Sequence, residues 1–239
     1  MSVRRLHEDQ PASFAFNAEN MARVEAWIAK FPPGRQRSAV ISALWIGQEQ
    51  EGWVTKPMIE EIARLLDMPY IRVLEVATFY TMFQLAPVGK HHVQVCTTTP
   101  CWLRGSDEVV KACKKHIHEK PHTVSADGQF SWEEVECLGA CVNAPMVLIG
   151  NDPYEDLTGE KVADLIEAIR RGETPKPGSQ IGRRSSEPEG GATTLTDRAL
   201  YDPTLRNAGP SLTDAEAKKV TPGVEQREAP IQKPPGAAT

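Results

Sequence analysis

The chain has 239 residues, 40% of them apolar and 25% charged, a balance that suits one or two folded domains with real cores. Its formal net charge of −5 argues against a general nucleic-acid binder, which would present a basic field, and no apolar run approaches the roughly 18 to 20 residues of a membrane-spanning helix. Five cysteines are too few and too unevenly placed for a secreted disulfide scaffold, so reduced thiols in a cytosol-like compartment are expected.

Residues 1–16 read as a flexible N-terminus. Arg4 and Arg5 are mixed with Glu8 and Asp9 and no apolar core follows, unlike a signal peptide or an acid-poor transit peptide. Residues 17–86 read as a four-helix bundle domain. Asn17 can cap a first helix that Pro32-Pro33-Gly34 stops. A second carries Val40, Ile41, Leu44 and Trp45 as one apolar stripe and ends near Gly52. Thr55-Lys56-Pro57 opens a third, with Ile59, Ile62, Ala63, Leu65 and Leu66 inward. After Met68-Pro69 a fourth runs through Val73, Leu74, Val76, Ala77, Phe79 and Tyr80. No His or Cys lies in this stretch, which therefore reads as a packing module.

Residues 87–173 read as an α/β layer of thioredoxin-like type. His91 to Val95 alternates as a strand and delivers Cys96. Trp102 to His118 follows as a helix with Leu103, Val109, Val110, Ala112 and Cys113 on its buried side. Thr123 to Ser125 is short and extended, and Asp127-Gly128 predicts a hairpin turn into a strand over Phe130 to Val135. Met146 to Ile149 and Pro153 to Glu155 are extended, and Thr158 caps a last helix with Val162, Leu165, Ile166 and Ile169 inward. Residues 174–239 change character. Pro and Gly make up 16 of these 66 residues and Val, Ile, Leu and Phe only 8, which predicts a disordered tail; Ser211 to Val220 alone has a cap and helix formers.

Four cysteines carry the chemistry. Cys96-x4-Cys101 and Cys137-x3-Cys141 form two pairs separated by 35 residues, and neither spacing is the C-x2-C of thioredoxin-type redox pairs or zinc knuckles. A [2Fe-2S] rhomb needs two thiolates on each iron, so two short loops held side by side would satisfy it. Two ferric ions, two sulfides and four thiolates leave a net negative charge that grows by one on reduction, and burying it requires N–H donors. Thr97, Thr98 and Thr99 in the first loop and Leu138, Gly139 and Ala140 in the second can supply backbone amides. The threonine hydroxyls either add hydrogen bonds or serve as ordinary turn caps, and Trp102 either shields the site or is plain core. Glu133, Glu134 and Glu136 would disfavour an extra electron, weakly so if exposed.

Competing chemistry is limited. Zinc on all four cysteines stays open as a structural alternative, although such sites prefer C-x2-C pairs. A Rieske centre would need histidines interleaved with the cysteines, and His91, His92, His116, His118 and His122 are not so placed. Cys113 reads as an inert buried thiol. No G-x-G-x-x-G or P-loop occurs, so nothing in the residues warrants binding of NADH or flavin by this chain, and no residue is read as catalytic.

The blocks Val76-Ala-Thr-Phe-Tyr80, Cys96-Thr-Thr-Thr-Pro-Cys101 and Glu136-Cys-Leu-Gly-Ala-Cys-Val-Asn-Ala-Pro145 resemble the family of thioredoxin-like [2Fe-2S] ferredoxins that form the E-type component of NADH:quinone oxidoreductase, respiratory complex I. The resemblance spans about residues 17 to 172. It implies a helical N-terminal domain before a thioredoxin-like ferredoxin, with Cys96, Cys101, Cys137 and Cys141 holding one [2Fe-2S] cluster. It further implies docking to the flavoprotein subunit that binds FMN and NADH, and membership of an assembly that includes the large iron-sulfur subunit. The cluster would exchange single electrons with the flavin and lie off the main chain of centres leading to quinone. With no transit peptide read in the sequence, the expected place is peripheral, on the cytoplasmic side of a bacterial inner membrane rather than the mitochondrial matrix side. A homologous component of an NAD-linked hydrogenase or formate dehydrogenase would share every ligand.

Overall fold

The computed structural model describes residues 4–202, and the chain divides into two units, 1–189 and 190–239. The first unit opens with four helices: α1 (Ala18–Ile28), α2 (Val40–Glu51), α3 (Lys56–Leu65) and α4 (Tyr70–Phe79). Their starts follow local capping chemistry. Asn17 accepts from the Asn20 amide at the head of α1, and Thr55 accepts from the Met58 amide at the head of α3, so side chains satisfy amides that the first turn leaves unpaired. Gly52 ends α2 in the left-handed conformation at φ 83°.

Helix α2 is the centre of this module. The single stripe expected of it is too narrow, because Val40, Ala43, Leu44, Ile46 and Gly47 are all buried. Gly47 has a packing reason: a Cβ there would stand 2.6 Å from the Met58 sulfur and would push that buried side chain aside. On α4, Val73 and Ala77 are buried as expected, but Phe79 and Tyr80 are exposed. Phe79, two residues past Ala77, lies on the face opposite the buried stripe, and Tyr80 already lies beyond the helix in extended backbone.

The segment expected to be a flexible leader lies against this module. Leu6, Phe14 and Phe16 pack on its core, and the His7 amide donates to Leu85 O at 2.9 Å. The Arg4 guanidinium donates to the carbonyls of Thr78, Tyr80 and Phe83, gathering acceptors that the end of α4 leaves open.

The second half is built on a five-stranded sheet in the order β2-β1-β3-β4-β5: β1 (His91–Cys96), β2 (Phe130–Val135), β3 (Val147–Ile149), β4 (Asp152–Glu155) and β5 (Gly178–Ser179). β1 runs parallel to β2 and antiparallel to β3; β4 is antiparallel to β3 and parallel to β5. Val93, Val95, Phe130, Trp132, Val147 and Ile149 form a core with Val109 and Cys113 of α6 (Ser106–His116) and Val162, Leu165 and Ile166 of α7 (Gly159–Arg170). Thr158 caps α7 as expected, accepting from the Lys161 amide.

Three expectations are met only in part here. The helix predicted over Trp102 to His118 is broken into α5 (Thr99–Leu103) and α6, with Gly105 left-handed at φ 96° between them; Trp102 and Leu103 fall on α5 and are exposed. The predicted hairpin at Asp127-Gly128 forms only in part: the turn closes with the Gly128 amide on Ser125 O, and the Ser125 and His122 amides donate to Phe130 O and Trp132 O on the free edge of β2, but 123–125 is not itself a strand. The tail predicted to be disordered from residue 174 contributes β5 and remains part of the first unit to Glu189. Of the second unit, residues 190–202 carry one 3-10 turn, Arg198–Tyr201, whose first turn is capped by Asp197. Residues 203–239, with Ser211 to Val220, lie outside the described residues.

The opposite face of β1 and β2 is polar and meets the helical module. Glu133 is buried and accepts from Gln84 Nε2 and Gln94 Nε2, each at 2.8 Å, and pairs with His92 Nε2 at 3.0 Å. Burial opposes its charge, yet these hydrogen bonds outweigh burial and hold its carboxyl below the ordinary value of 4.5. A depressed pKa stabilises the fold above the ordinary value and loses that contribution as the pH falls through the depressed one. Glu133→Leu is therefore expected to cost about 1–3 kcal/mol near neutrality, since it strands the amides of Gln84 and Gln94. Denaturant titrations repeated at falling pH check this: the gap between wild type and variant should close in acid.

Candidate iron-sulfur site

Both cysteine pairs leave the same end of the sheet. Cys96 is the last residue of β1, opposite Val135 at the end of β2, and Cys137 follows two residues later. Cys101 is carried on α5, and Cys141 opens a 3-10 turn, Cys141–Asn143. The Cys96 amide donates to Met146 O and the Thr97 amide to Val135 O, each at 3.3 Å, which ties the first loop to the two neighbouring strand ends.

The pairs differ in exposure. Cys96 and Cys101 are buried among Ala144 and Met146 with Leu138 and Ala140 packed on them, whereas Cys137 and Cys141 are exposed with their sulfurs 3.5 Å apart. Among the described residues no three His, Cys, Asp or Glu side chains gather closely enough to hold a single ion.

Hydrogen bonding favours thiolate where a cluster ligand needs it. Burial pushes the Cys96 thiol up, but amides of Leu138 and Thr98 and the Cys101 thiol donate to its sulfur and hold it below the ordinary value. Leu138 belongs to the other loop, so each loop helps to build the other's ligand environment. Cys101 is pushed up to about 12 by burial and by its hydrogen bond to Cys96, against a donation from the Met146 amide. The pair therefore holds its second proton more tightly than its first, and a nearby positive charge would favour losing both. Cys141 is raised, chiefly by its contact with Cys137.

Two further observations fit a cluster. The Thr98 side-chain hydroxyl is buried beside the Cys96 sulfur and helps to hold that thiol down, its geometry too loose for a regular hydrogen bond. Gly139 sits at φ 91°, which glycine alone adopts freely, and this bends the second loop around its own sulfurs.

Of the six residues expected to supply amides, Thr98 and Leu138 do so; the Thr97 amide is used by Val135. Met146 was missed, because nothing in its type marks it as a donor. Trp102 is 56% exposed and does not cover the site. Glu133 belongs to the junction described above, leaving Glu134 and Glu136 as the exposed acids before Cys137. Cys113 is fully buried in the α6 core and pushed up to about 12 by burial, an inert thiol.

The model of the family described as thioredoxin-like [2Fe-2S] ferredoxin matches residues 24–170. The chain belongs to this family. Among its relatives, the first E-type component of the NADH-quinone oxidoreductase of Rhizobium meliloti (strain 1021) is 58% identical over 200 residues, 82% of this chain and 73% of the relative. The E-type component of the NADH-quinone oxidoreductase of Rickettsia bellii (strain RML369-C) is 54% identical over 159 residues, 66% of this chain and 95% of the relative. Among solved structures, the thioredoxin-like [2Fe-2S] ferredoxin of Aquifex aeolicus is 25% identical with a TM-score of 0.31, covering 39% of this chain and 97% of its own. An NAD+-reducing [NiFe]-hydrogenase is 20% identical with a TM-score of 0.49, covering 57% of this chain and 22% of its own. Membership of this family supports an iron-sulfur cluster in the protein.

Proposed function

We propose that this ferredoxin is the E-type component of an NADH:quinone oxidoreductase, carrying single electrons to and from a partner flavoprotein that holds FMN and NADH. The observation that supports this reading most is the 58% identity over 200 residues to a protein that bears that name. One [2Fe-2S] cluster, bound by Cys96, Cys101, Cys137 and Cys141, supplies the one-electron chemistry when present. The protein's own residues do the rest. Cys96 and Cys101 anchor the inner edge in a dry pocket, and the amides of Thr98, Leu138 and Met146 donate to the sulfurs and offset negative charge. The exposed pair, Cys137 and Cys141, marks the edge that a partner can approach. Among the described residues no helix is long and apolar enough to cross a membrane. The reading places the protein peripherally, beside the flavoprotein and the large iron-sulfur protein, on the cytoplasmic face of a bacterial inner membrane.

Co-expression with the genomically neighbouring FMN-binding flavoprotein tests the assignment. The two chains are expected to co-purify, and charge reversal at Glu134 and Glu136 beside Cys137 should weaken the complex without removing iron. Failure to co-purify with that flavoprotein, alongside stable association with a nickel or molybdenum enzyme, would replace this reading with the hydrogenase or formate dehydrogenase one.

A further inference from the structure

The segment after α7 reaches back to the second cysteine loop. Arg183 is buried at 6% side-chain exposure, and its guanidinium forks onto Asp156, itself 3% exposed. The Nε donates to Asp156 Oδ2 at 3.1 Å and a terminal nitrogen to Oδ1. The remaining nitrogen donates to Val142 O at 3.3 Å and Glu187 O at 3.2 Å. Val142 is the residue after Cys141. One residue further on, Asn143 is tied twice, its Nδ2 donating to Glu155 Oε2 at 2.7 Å and Ser185 O at 2.8 Å. The Asp156 amide donates to Asn143 O at 2.7 Å, and Ser179 Oγ donates to Asp156 Oδ2 at 2.6 Å. β5 zips this segment to β4 through Tyr154 and Glu155.

We infer that residues 178–187 form a polar clasp, centred on Arg183, that positions Cys141 by holding the backbone of Val142 and Asn143. This rests on the reading of Cys141 as a cluster ligand. The inner cysteines are fixed by apolar packing, whereas Cys137 and Cys141 are exposed and have no such wall; their loop needs restraint from elsewhere. A buried ion pair is a costly way to gain stability, because two charges leave water and a hydrophobic pair of similar volume would serve as well. Its distinctive product is geometry: a planar fork fixed on one carboxylate aims its spare N–H groups in set directions. Here one of them meets the carbonyl next to the ligand. Arg183 is thus a positioning residue, and the clasp lies beyond the 24–170 region that the family model matches.

The test compares the full chain with R183M, R183K and, as a control at an exposed ion pair, R171Q. Lysine keeps the charge and loses the fork. Iron release to a chelator and amide exchange at residues 138–143 are followed, with exchange in β1 and α7 as internal reference. Loss of a charge-assisted buried hydrogen bond is expected to speed local opening on the order of tenfold. R183M and R183K should therefore release iron faster and exchange faster at 138–143, with β1, α7 and R171Q unchanged. If R183M does not fold, R183K decides. Wild-type rates in R183K, or equal acceleration across β1 and α7, would overturn the clasp as a positioning device. Absence of iron and sulfide from the wild type would instead overturn the cluster reading, and exchange at 138–143 would still judge the clasp.

Discussion

Replacing Cys101 by serine is expected to abolish or distort the visible and EPR signature of the reduced protein, while Cys113→Ser leaves both intact. The two thiols are equally hidden, and both are pushed up to about 12 by burial, so exposure alone does not separate them. Their neighbours do. Cys101 touches Cys96, feels Cys141 and receives the Met146 amide, whereas Cys113 faces only the apolar core between α6 and the sheet. Serine at Cys101 replaces a soft thiolate by a hydroxyl that binds iron poorly at neutral pH. Serine at Cys113 adds a buried hydroxyl that α6 can bond back to its own backbone, a cost of about 1 kcal/mol in stability and none in iron. Iron content and absorption spectra of the two variants check the contrast; a wild-type spectrum in Cys101→Ser would refute the ligand assignment.

Dithionite is expected to reduce the isolated protein, and NADH alone is not. No glycine-rich nucleotide loop is read in the sequence, so the nicotinamide site is expected on the flavoprotein, and a centre that accepts one electron cannot take a hydride's two together. A flavin can divide the pair, so adding the FMN-bearing flavoprotein should make NADH effective as far as the potentials allow. The readout is bleaching of the visible band with and without that partner. Reduction by NADH of a preparation free of flavin would contradict the proposal.

Much of this was legible because local chemistry sets local structure. Asn17, Thr55 and Thr158 marked helix starts that the structure places one residue later, since each side chain caps an amide within its own turn. Both cysteine loops leave one end of the sheet because β1 and β2, which lead into them, run parallel and end together. The failures share a cause: they depend on partners distant in sequence. β2 finds its full partner in β1, far away in sequence, and on its other edge receives only the His122 and Ser125 amides, so 123–125 falls short of a strand. Composition marked residues 174–189 as tail because apolar side chains were counted, and this segment is held by Arg183 on Asp156 and by two residues of strand pairing. No count of leucines detects a polar anchor. Chains ending at Pro177 and at Glu189 isolate its contribution; the shorter is expected to hold iron less firmly.

The most direct test of the central claim is iron and acid-labile sulfide analysis joined to an EPR spectrum of the dithionite-reduced, anaerobically purified protein. The account predicts about two irons and two sulfides per chain and a single S = 1/2 signal of a reduced [2Fe-2S] centre. One zinc per chain, with no sulfide and no signal, would contradict it.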